Sequence, residues 1–327
     1  MVTVLSLPLV TGIHVFRNFD LFTLIQFSKL SKTCKLRVQS ANFRVSKLEI
    51  YCSEESEISI EFHGNTYKFR LIRDEKTEER LTENPKIRDF HFKSQEDGIR
   101  ILGEQLLELF RGSIAIVRLS DEFRRIQTYF QWERIGECPS VTVEKSEISA
   151  EELEFLSQRH LNSLNLKKLP EDIDSFRFNA RNLILNDGRL LNRSSLLKIE
   201  SENILILRSS FTSSDLNAFV RKWLEGDEKI TSLSIYETEK QADFLEEIEV
   251  IAWDPKRRSR HFVKEIGEST VLIDCRNGMD LERKDGKIAT ILADHGSEFH
   301  FFVWHHKFPK VPENAFGFCK TSIRNKD

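Results

Sequence analysis

Residues 1–46 carry two short segments that are apolar on more sides than helices of their length can hide. On a 100° wheel Leu9, Ile13 and Phe16 fall on one stripe, flanked by Val10, Val15 and Phe19, while Thr11, His14, Arg17 and Asn18 share the polar arc. Pro8 stands in the first turn, where its missing N–H removes no hydrogen bond. Asp20 is placed to cap a second helix running from Leu21 to Lys32. In that helix Leu21, Leu24 and Ile25 share a face, but Phe22, Phe27 and Leu30 point elsewhere, so it must be covered on more than one side. Beyond Cys34, the residues Leu36, Val38, Phe43 and Val45 supply a third packing element. A unit of about forty residues rarely holds a core unaided. The segment is therefore built to dock, either onto later parts of the same chain as the first layer of a larger core, or onto a separate polypeptide.

A chain of 327 residues has room for about two domains. Hydrophobic residues make up 39% and charged residues 31%, which excludes the disorder signature of low hydrophobicity with high net charge. Phe outnumbers Tyr 25 to 4, and Phe buries a large area without a polar group to satisfy, so a sizeable Phe-rich core is expected. The net charge of −3 supplies no field that would recruit phosphate backbones, so no nucleic-acid partner is expected. The one basic run, Lys256-Arg257-Arg258 followed by Arg260-His261, reads as a solvated loop. Cys34, Cys52, Cys138, Cys275 and Cys319 are scattered without metal spacing, which fits buried thiols in a reducing compartment. Pro8, His14, Arg17, Asn18 and Asp20 interrupt any signal-peptide core, and no run of about 18 apolar residues spans a membrane. A cytoplasmic or nuclear protein with no membrane partner is expected.

Residues 47–97 read as a β-hairpin and a charged connector. Leu48, Ile50 and Cys52, then Ile58, Ile60 and Phe62, then Tyr67, Phe69 and Leu71 alternate as half-buried strands, with a turn at His63-Gly64-Asn65. Residues 73–86, charged and containing Pro85, read as an exposed loop. From residue 98 to 327 helix-like and strand-like stretches alternate. Helices are expected at Ile99–Phe110, Phe123–Trp132 and Ala150–Arg159, the last capped by Ser149, and strands at Ile114–Leu119 and Val141–Val143. Strand-like runs at 161–166, 182–185, 203–207 and 231–235 recur every twenty to twenty-eight residues or so, the spacing of an irregular leucine-rich-repeat stack. Between the last two, Leu216, Phe219, Val220, Trp223 and Leu224 mark an amphipathic helix, capped by Ser213 or Ser214 with Asp215 in its first turn and ended by Gly226. The C-terminal part is β-rich: Asp285-Gly286 joins 279–282 to 288–291, and 299–304 is a nearly continuous apolar strand. The expected fold class is thus mixed α/β, a small helical N-terminal module followed by a repeat-like αβ stack with a β-rich end.

Two groups of residues resemble known families. Leu7-Pro8, Phe19-Asp20-Leu21 and Leu30-Ser31-Lys32 stand in the order of an F-box: Leu-Pro, an aliphatic helix, a Leu-Asp-like cap, a Leu-rich helix and a Ser-Lys end. Thr33-Cys34-Lys35 replaces the Trp frequent after that Lys, and Gly12 replaces a better helix former. Further on, Ser213-Ser214-Asp215-Leu216-Asn217-Ala218-Phe219 with Lys222-Trp223 and Gly226 resembles the F-box-associated domain, type two, of the large nematode F-box family. The run Asp280 to Ile291 and Trp304 resemble that domain's C-terminal motif and closing Val-Trp. The resemblance implies an F-box over residues 1–46 and an F-box-associated domain over 98–327. It implies a substrate-choosing adaptor that catalyses nothing, bound to the Skp adaptor of a cullin-based ubiquitin ligase and to an unknown protein substrate. The adaptor-binding residues it implies are Leu7, Pro8, Leu9, Ile13, Phe16, Phe19, Leu21, Leu24, Ile25, Leu30 and Lys32.

The sequence carries none of the common catalytic motifs. There is no phosphate-cradling G-x-x-x-x-G-K-[ST] or G-x-G-x-x-G, no G-x-S-x-G elbow and no H-E-x-x-H helix. Asp294 and His295 with His300, His305 and His306 are the best metal candidates, but adjacent His305 and His306 face opposite ways on a strand. No metal or cofactor is expected, and the glutamates at 151, 152, 154, 246, 247 and 249 read as surface charges. The rival reading is a stand-alone repeat scaffold whose first helices merely cap the stack.

Overall fold

The fold is described from a computed structural model, which covers residues 7–53, 55–74, 78–120, 126–171, 177–226, 229–237, 245–266, 269–294, 298–311 and 316–317. It divides at Lys145/Ser146 into two compact units. The boundaries expected at 46/47 and 97/98 fall inside the first of them. No helix among the described residues is long and apolar enough to cross a membrane.

The first unit begins with α1 (Leu9–Phe16), α2 (Leu21–Lys29) and α3 (Lys32–Ser40). Asp20 caps α2, accepting from Thr23 N–H at 2.8 Å, and Ser31 ends the second segment early by capping α3. The strands are β1 (Lys47–Cys52), β2 (Ser56–Phe62), β3 (Asn65–Arg73), β4 (Glu78–Leu81), β5 (Ile87–Phe92), β6 (Ile114–Leu119) and β7 (Ser140–Val143). They form a sheet in the order β7-β6-β1-β2-β3-β5-β4. The β2–β3 hairpin turns at His63 and Gly64, both at positive φ, which suits an L-residue poorly and glycine well. The 73–86 stretch is a correction to the expected loop: it contains β4, which pairs antiparallel with β5. The helix α4 (Gln95–Leu109), capped by Ser94, packs over β2, β3 and β5. Two short helices, α5 (Ile126–Tyr129) and α6 (Glu133–Gly136), follow β6, and the start of the expected 123–132 helix lies outside the described residues. As the composition implied, the core is built on Phe: Phe22 meets Phe69 at 5.1 Å, and Phe62 meets Phe43 at 5.6 Å and Phe110 at 5.8 Å.

The second unit starts with α7 (Ala150–Ser157), closed by the reciprocal hydrogen bonds of Ser149 and Glu152. Four parallel strands follow: β8 (Ser163–Leu166), β9 (Asn182–Leu185), β10 (Asn203–Ile206) and β11 (Ser232–Ile235). Helix α8 (Arg193–Lys198) lies between β9 and β10, and α9 (Ser213–Glu225) between β10 and β11. The strands align in one register, so Leu164, Leu183, Ile204 and Leu233 form one buried row, and Leu166, Leu185, Ile206 and Ile235 a second. The other side of β8–β10 is half-exposed and holds an asparagine ladder: Asn203 Nδ2 donates to Asn182 Oδ1 at 3.0 Å, Asn182 Nδ2 to Asn162 O at 2.9 Å. In α9 the expected face, Leu216, Phe219, Val220 and Trp223, is buried. The cap is Thr212 rather than Ser213 or Ser214, because Asp215 at the third helical position returns its bond to the Thr212 N–H. Gly226 ends the helix at φ 126°, where a side chain would be strained.

Beyond β11 the unit is antiparallel. The elements are β12 (Ile251–Ala252), β13 (His261–Ile266), β14 (Ser269–Asp274), β15 (Met279–Glu282), β16 (Ile288–Asp294), β17 (Glu298–Trp304) and β18 (Phe316–Gly317). The order β12-β15-β16-β17-β11 extends the parallel strands, and β13-β14-β18 form a separate small sheet. The β15–β16 hairpin over Asp285-Gly286 is as expected, and β17 is buried almost throughout. Phe262 of β13 stacks on Phe302 at 4.8 Å and meets Trp304 edge-on at 5.3 Å. The 256–261 run is another correction. Arg258 is fully buried: its Nε donates to both Asp280 oxygens at 2.9 Å, its Nη2 to Asp280 Oδ1 at 2.7 Å and to the Cys275 carbonyl at 2.9 Å.

Candidate interaction surfaces

The N-terminal helices are fixed to the first unit by their inner faces. Phe22 packs edge-on against Tyr67 at 5.4 Å and Phe69 at 5.1 Å, with the Arg88 guanidinium over its ring at 4.8 Å. Phe16 joins α1 to α2 through Phe27 at 5.2 Å. Lys29 pairs with Glu79 at 2.9 Å, Lys35 with Glu108 at 2.6 Å.

The residues expected to face an adaptor are thereby sorted into two groups. Phe16, Leu21, Leu24 and Ile25 are buried within the chain, so in this conformation they present no contact surface. Leu7, Ile13 and Phe19 are half-buried, Pro8 and Lys32 are exposed, Leu9 opens α1, and Leu30 is 73% exposed. Two outward apolar side chains were not on the expected list: Val10, 68% exposed, and Leu36, 52% exposed. Leu36 could have been found, since it is the apolar residue of α3 that lies off the Cys34–Val38 face.

The second unit holds a groove of about 990 Å³ at the N-terminal ends of its parallel strands. Four successive segments build its floor: His160–Asn162 before β8, Asn179–Arg181 before β9, Glu200–Asn203 entering β10 and Lys229–Thr231 before β11. One wall is β13, through Phe262, Val263 and Lys264, and another is His305-His306 just after β17. These residues meet because the strands are in register, which brings every segment preceding a strand to the same edge.

Its electrostatics are uneven. Glu202 is paired with Arg181 at 2.9 Å and Glu200 with Lys229 at 2.5 Å, and the Lys229 bond holds the Glu200 carboxyl below its ordinary range. His305 Nε2 lies 3.0 Å from Thr231 Oγ1, and burial, with Lys287 and His306 nearby, pushes its pKa down. Lys264 reaches Ser234 Oγ at 3.4 Å and lies 6.0 Å from the Phe302 ring; burial pushes its ammonium down to about 8. Among the described residues no group of three His, Cys, Asp or Glu side chains converges as a metal site. Of the expected histidine cluster, His300 is buried and lies 3.3 Å from Glu298, His305 and His306 line the groove, and His295 lies outside the described residues. Cys34, Cys52, Cys138 and Cys275 are buried free thiols, the last three with pKa values raised by burial, and Cys319 lies outside the described residues.

Comparison with known proteins bears on the same region. Residues 165–230 match the family model described as F-box associated. Two uncharacterized proteins of Caenorhabditis elegans are related to the chain. One is 24% identical over 233 residues, covering 67% of this chain and 54% of the relative, so that the match spans about half of that relative's length. The other is 25% identical over 340 residues, covering 93% and 78%. No solved structure matches. The segment running from the end of β8 through α9, which builds most of the groove floor, is thus the part of this chain that is similar to the F-box-associated family.

Proposed function

We propose that the protein is a substrate-recognition adaptor of a Skp–cullin–F-box ubiquitin ligase, in which α1–α3 dock on the Skp adaptor and the second unit holds a protein target. The reading is carried by the F-box-associated match at residues 165–230, since that domain suggests a family of substrate-binding F-box proteins. The outward apolar side chains Val10, Leu30 and Leu36, with Pro8 and Lys32 exposed beside them in sequence, supply candidate anchors. No residue of this chain performs the transfer. Holding a target beside a charged conjugating enzyme makes the reaction effectively unimolecular, and that is the whole contribution.

The test is co-purification of the tagged full chain with the Skp adaptor. Leu30→Asp and Leu36→Asp are expected to abolish capture while leaving the melting temperature unchanged, because both side chains already stand in water. Leu24→Asp does not serve: Leu24 is fully buried, and a carboxylate there would unfold the first unit. Undiminished capture by the Leu30/Leu36 double variant would refute the reading. The second reading, a scaffold whose helices only complete their own unit, is favoured by the seating of Phe22 on β3. It predicts no capture of the Skp adaptor by the unsubstituted chain.

A further inference from the structure

We propose that the groove at the N-terminal ends of β8–β11 takes an extended acidic segment of the protein target, with its carboxylates set against Lys264 and the histidines of the walls. The proposal deepens the adaptor reading and rests on it only in calling the occupant a target.

Three observations converge. The first is shape: four strand ends laid side by side, walled by β13 and by the residues after β17, make an open trough of about 990 Å³. That is the room for a peptide several residues long, in the size range of known ligand clefts. The second is the pattern of charge pairing. Both carboxylates of the floor, Glu200 and Glu202, have cationic partners within the chain, Lys229 and Arg181. Among the described residues that line the groove, Lys264 is the cation with no carboxylate partner: its ammonium makes a long bond to the Ser234 hydroxyl and lies near the Phe302 ring. Such a half-buried ammonium is under-solvated, as its lowered pKa reflects, and an incoming carboxylate restores what water has lost. The third is the rim. His160, His305 and His306 add ring N–H groups around the same opening, where a second and third acceptor on the ligand can meet donors.

A nucleic acid fits less well. Its phosphates, one to every nucleotide, would run past Glu200 and Glu202, and Phe262, the Phe, Tyr or Trp ring among the described lining residues, is buried against Phe302 and Trp304 and offers bases no face to stack on. A peptide need not carry a charge at every residue, so its carboxylates can be spaced clear of Glu200 and Glu202.

The experiment is fluorescence anisotropy on the full chain with a labelled decapeptide of alternating Glu and Ser, its Gln counterpart, and a single-stranded DNA decamer. The expected result is at least about tenfold tighter binding of the Glu peptide than of the Gln peptide, weakening as salt rises. Lys264→Met, which keeps the aliphatic stem in place, should lose about tenfold, and adding His305→Gln and His306→Gln should lose more, at unchanged melting temperature. Lys256→Met, an exposed charge on the same unit outside the groove, should leave affinity unaltered. Equal binding of the two peptides, binding of neither, an unaffected Lys264→Met variant, or preference for the DNA decamer would each overturn the proposal. The Skp-adaptor capture assay, run on the same variants, is independent: lost capture with intact peptide preference sinks the adaptor reading alone, and the reverse sinks the groove alone.

Discussion

Replacing Asp280 by Ala should destabilise the second unit more than a typical point substitution. Asp280 and Arg258 are both essentially sealed from solvent, at 1% and 0% exposure. The carboxylate accepts from Arg258 Nε and Nη2 and from Thr290 Oγ1 at 2.7 Å, and Thr290 in turn accepts from Trp304 Nε1 at 2.7 Å. The guanidinium also donates to the carbonyls of Ser259 and Cys275, each at 2.9 Å, and lies 4.8 Å from the Trp304 ring centre. Removing the carboxylate leaves a guanidinium with no counter-charge in a dry site. Breaking a buried pair this way costs about 3–5 kcal/mol, about a fifth or more of an ordinary domain's stability of about 5–15 kcal/mol. With a urea m-value near 2 kcal/mol/M, the midpoint should fall by about 1.5–2.5 M. The assay is urea unfolding followed by tryptophan fluorescence, since Trp304 sits on the network itself. The double variant Arg258→Met with Asp280→Leu removes both charges and should recover most of the loss, because a buried pair is worth little against apolar packing of similar volume. A midpoint shift under about 0.5 M for Asp280→Ala, or a double variant as unstable as the single, would refute the argument that the cost lies in the orphaned charge.

In α4, a Cβ on Gly103 would sit 2.3 Å from Trp132 Cη2, and that ring is held by its Nε1–H donating to Glu104 Oε1 at 2.6 Å. Gly103→Ala should therefore destabilise by about 1–2 kcal/mol despite a propensity gain of about 1 kcal/mol, and thermal melts showing stabilisation would contradict this. Acid should also weaken the second unit. Burial opposes ionisation of Asp274, yet Arg260 and Arg276 hold its carboxyl well below the usual range; Arg189 does the same for Asp187, and Lys229 for Glu200. Groups with depressed folded pKa values stabilise the fold above their unfolded pKa near 4, so the unfolded chain takes up more protons as pH falls. Burial also holds His300 and His305 below their ordinary range, so the melting temperature should begin to fall gently between pH 7 and 5, as the unfolded chain protonates these histidines, and drop more steeply below about 4; a flat profile down to pH 3 would contradict it.

Much of the fold is legible in the sequence where local rules and burial agree. The period-2 rows of β8–β11, the face of α9, the glycine after it and the Asp-Gly hairpin all appear because each is specified by neighbours within about eight residues. The misread stretches share the opposite property. Strand β4 is charged and lies at a sheet edge, so neither face carries an alternating pattern. The sequence does not single out Thr212 as the cap, because three residues able to cap stand in a row; only the return bond from Asp215 chooses among them. Arg258 reads as surface because its partner Asp280 lies 22 positions away, across two strands and a turn.

Functional residues are harder still, because amphipathic surplus states how much surface must be covered and not what covers it. In α2 the apolar positions divide between two fates the helical wheel cannot separate: Leu21, Phe22, Leu24 and Ile25 turn inward, and Leu30, just past the helix end, stands in water. The groove is less legible again. Its floor comes from four segments about twenty residues apart, its walls from residues some thirty to seventy positions further on, and none of them forms a motif. What the sequence does hold is the equal register of the strands, through the recurring Asn and Ser at their first positions: Ser163, Asn182, Asn203 and Ser232. Three of them tie strand to strand by side-chain hydrogen bonds, Ser232 Oγ donating to Asn203 Oδ1 at 2.9 Å and Asn203 Nδ2 to Asn182 Oδ1 at 3.0 Å. The ladder thus spends its polar atoms on alignment, and alignment is what gathers Arg181, Glu202 and Lys229 at one edge. The polar residues that shape the groove are therefore distinct from those left to contact a ligand there, chiefly Lys264 and the wall histidines.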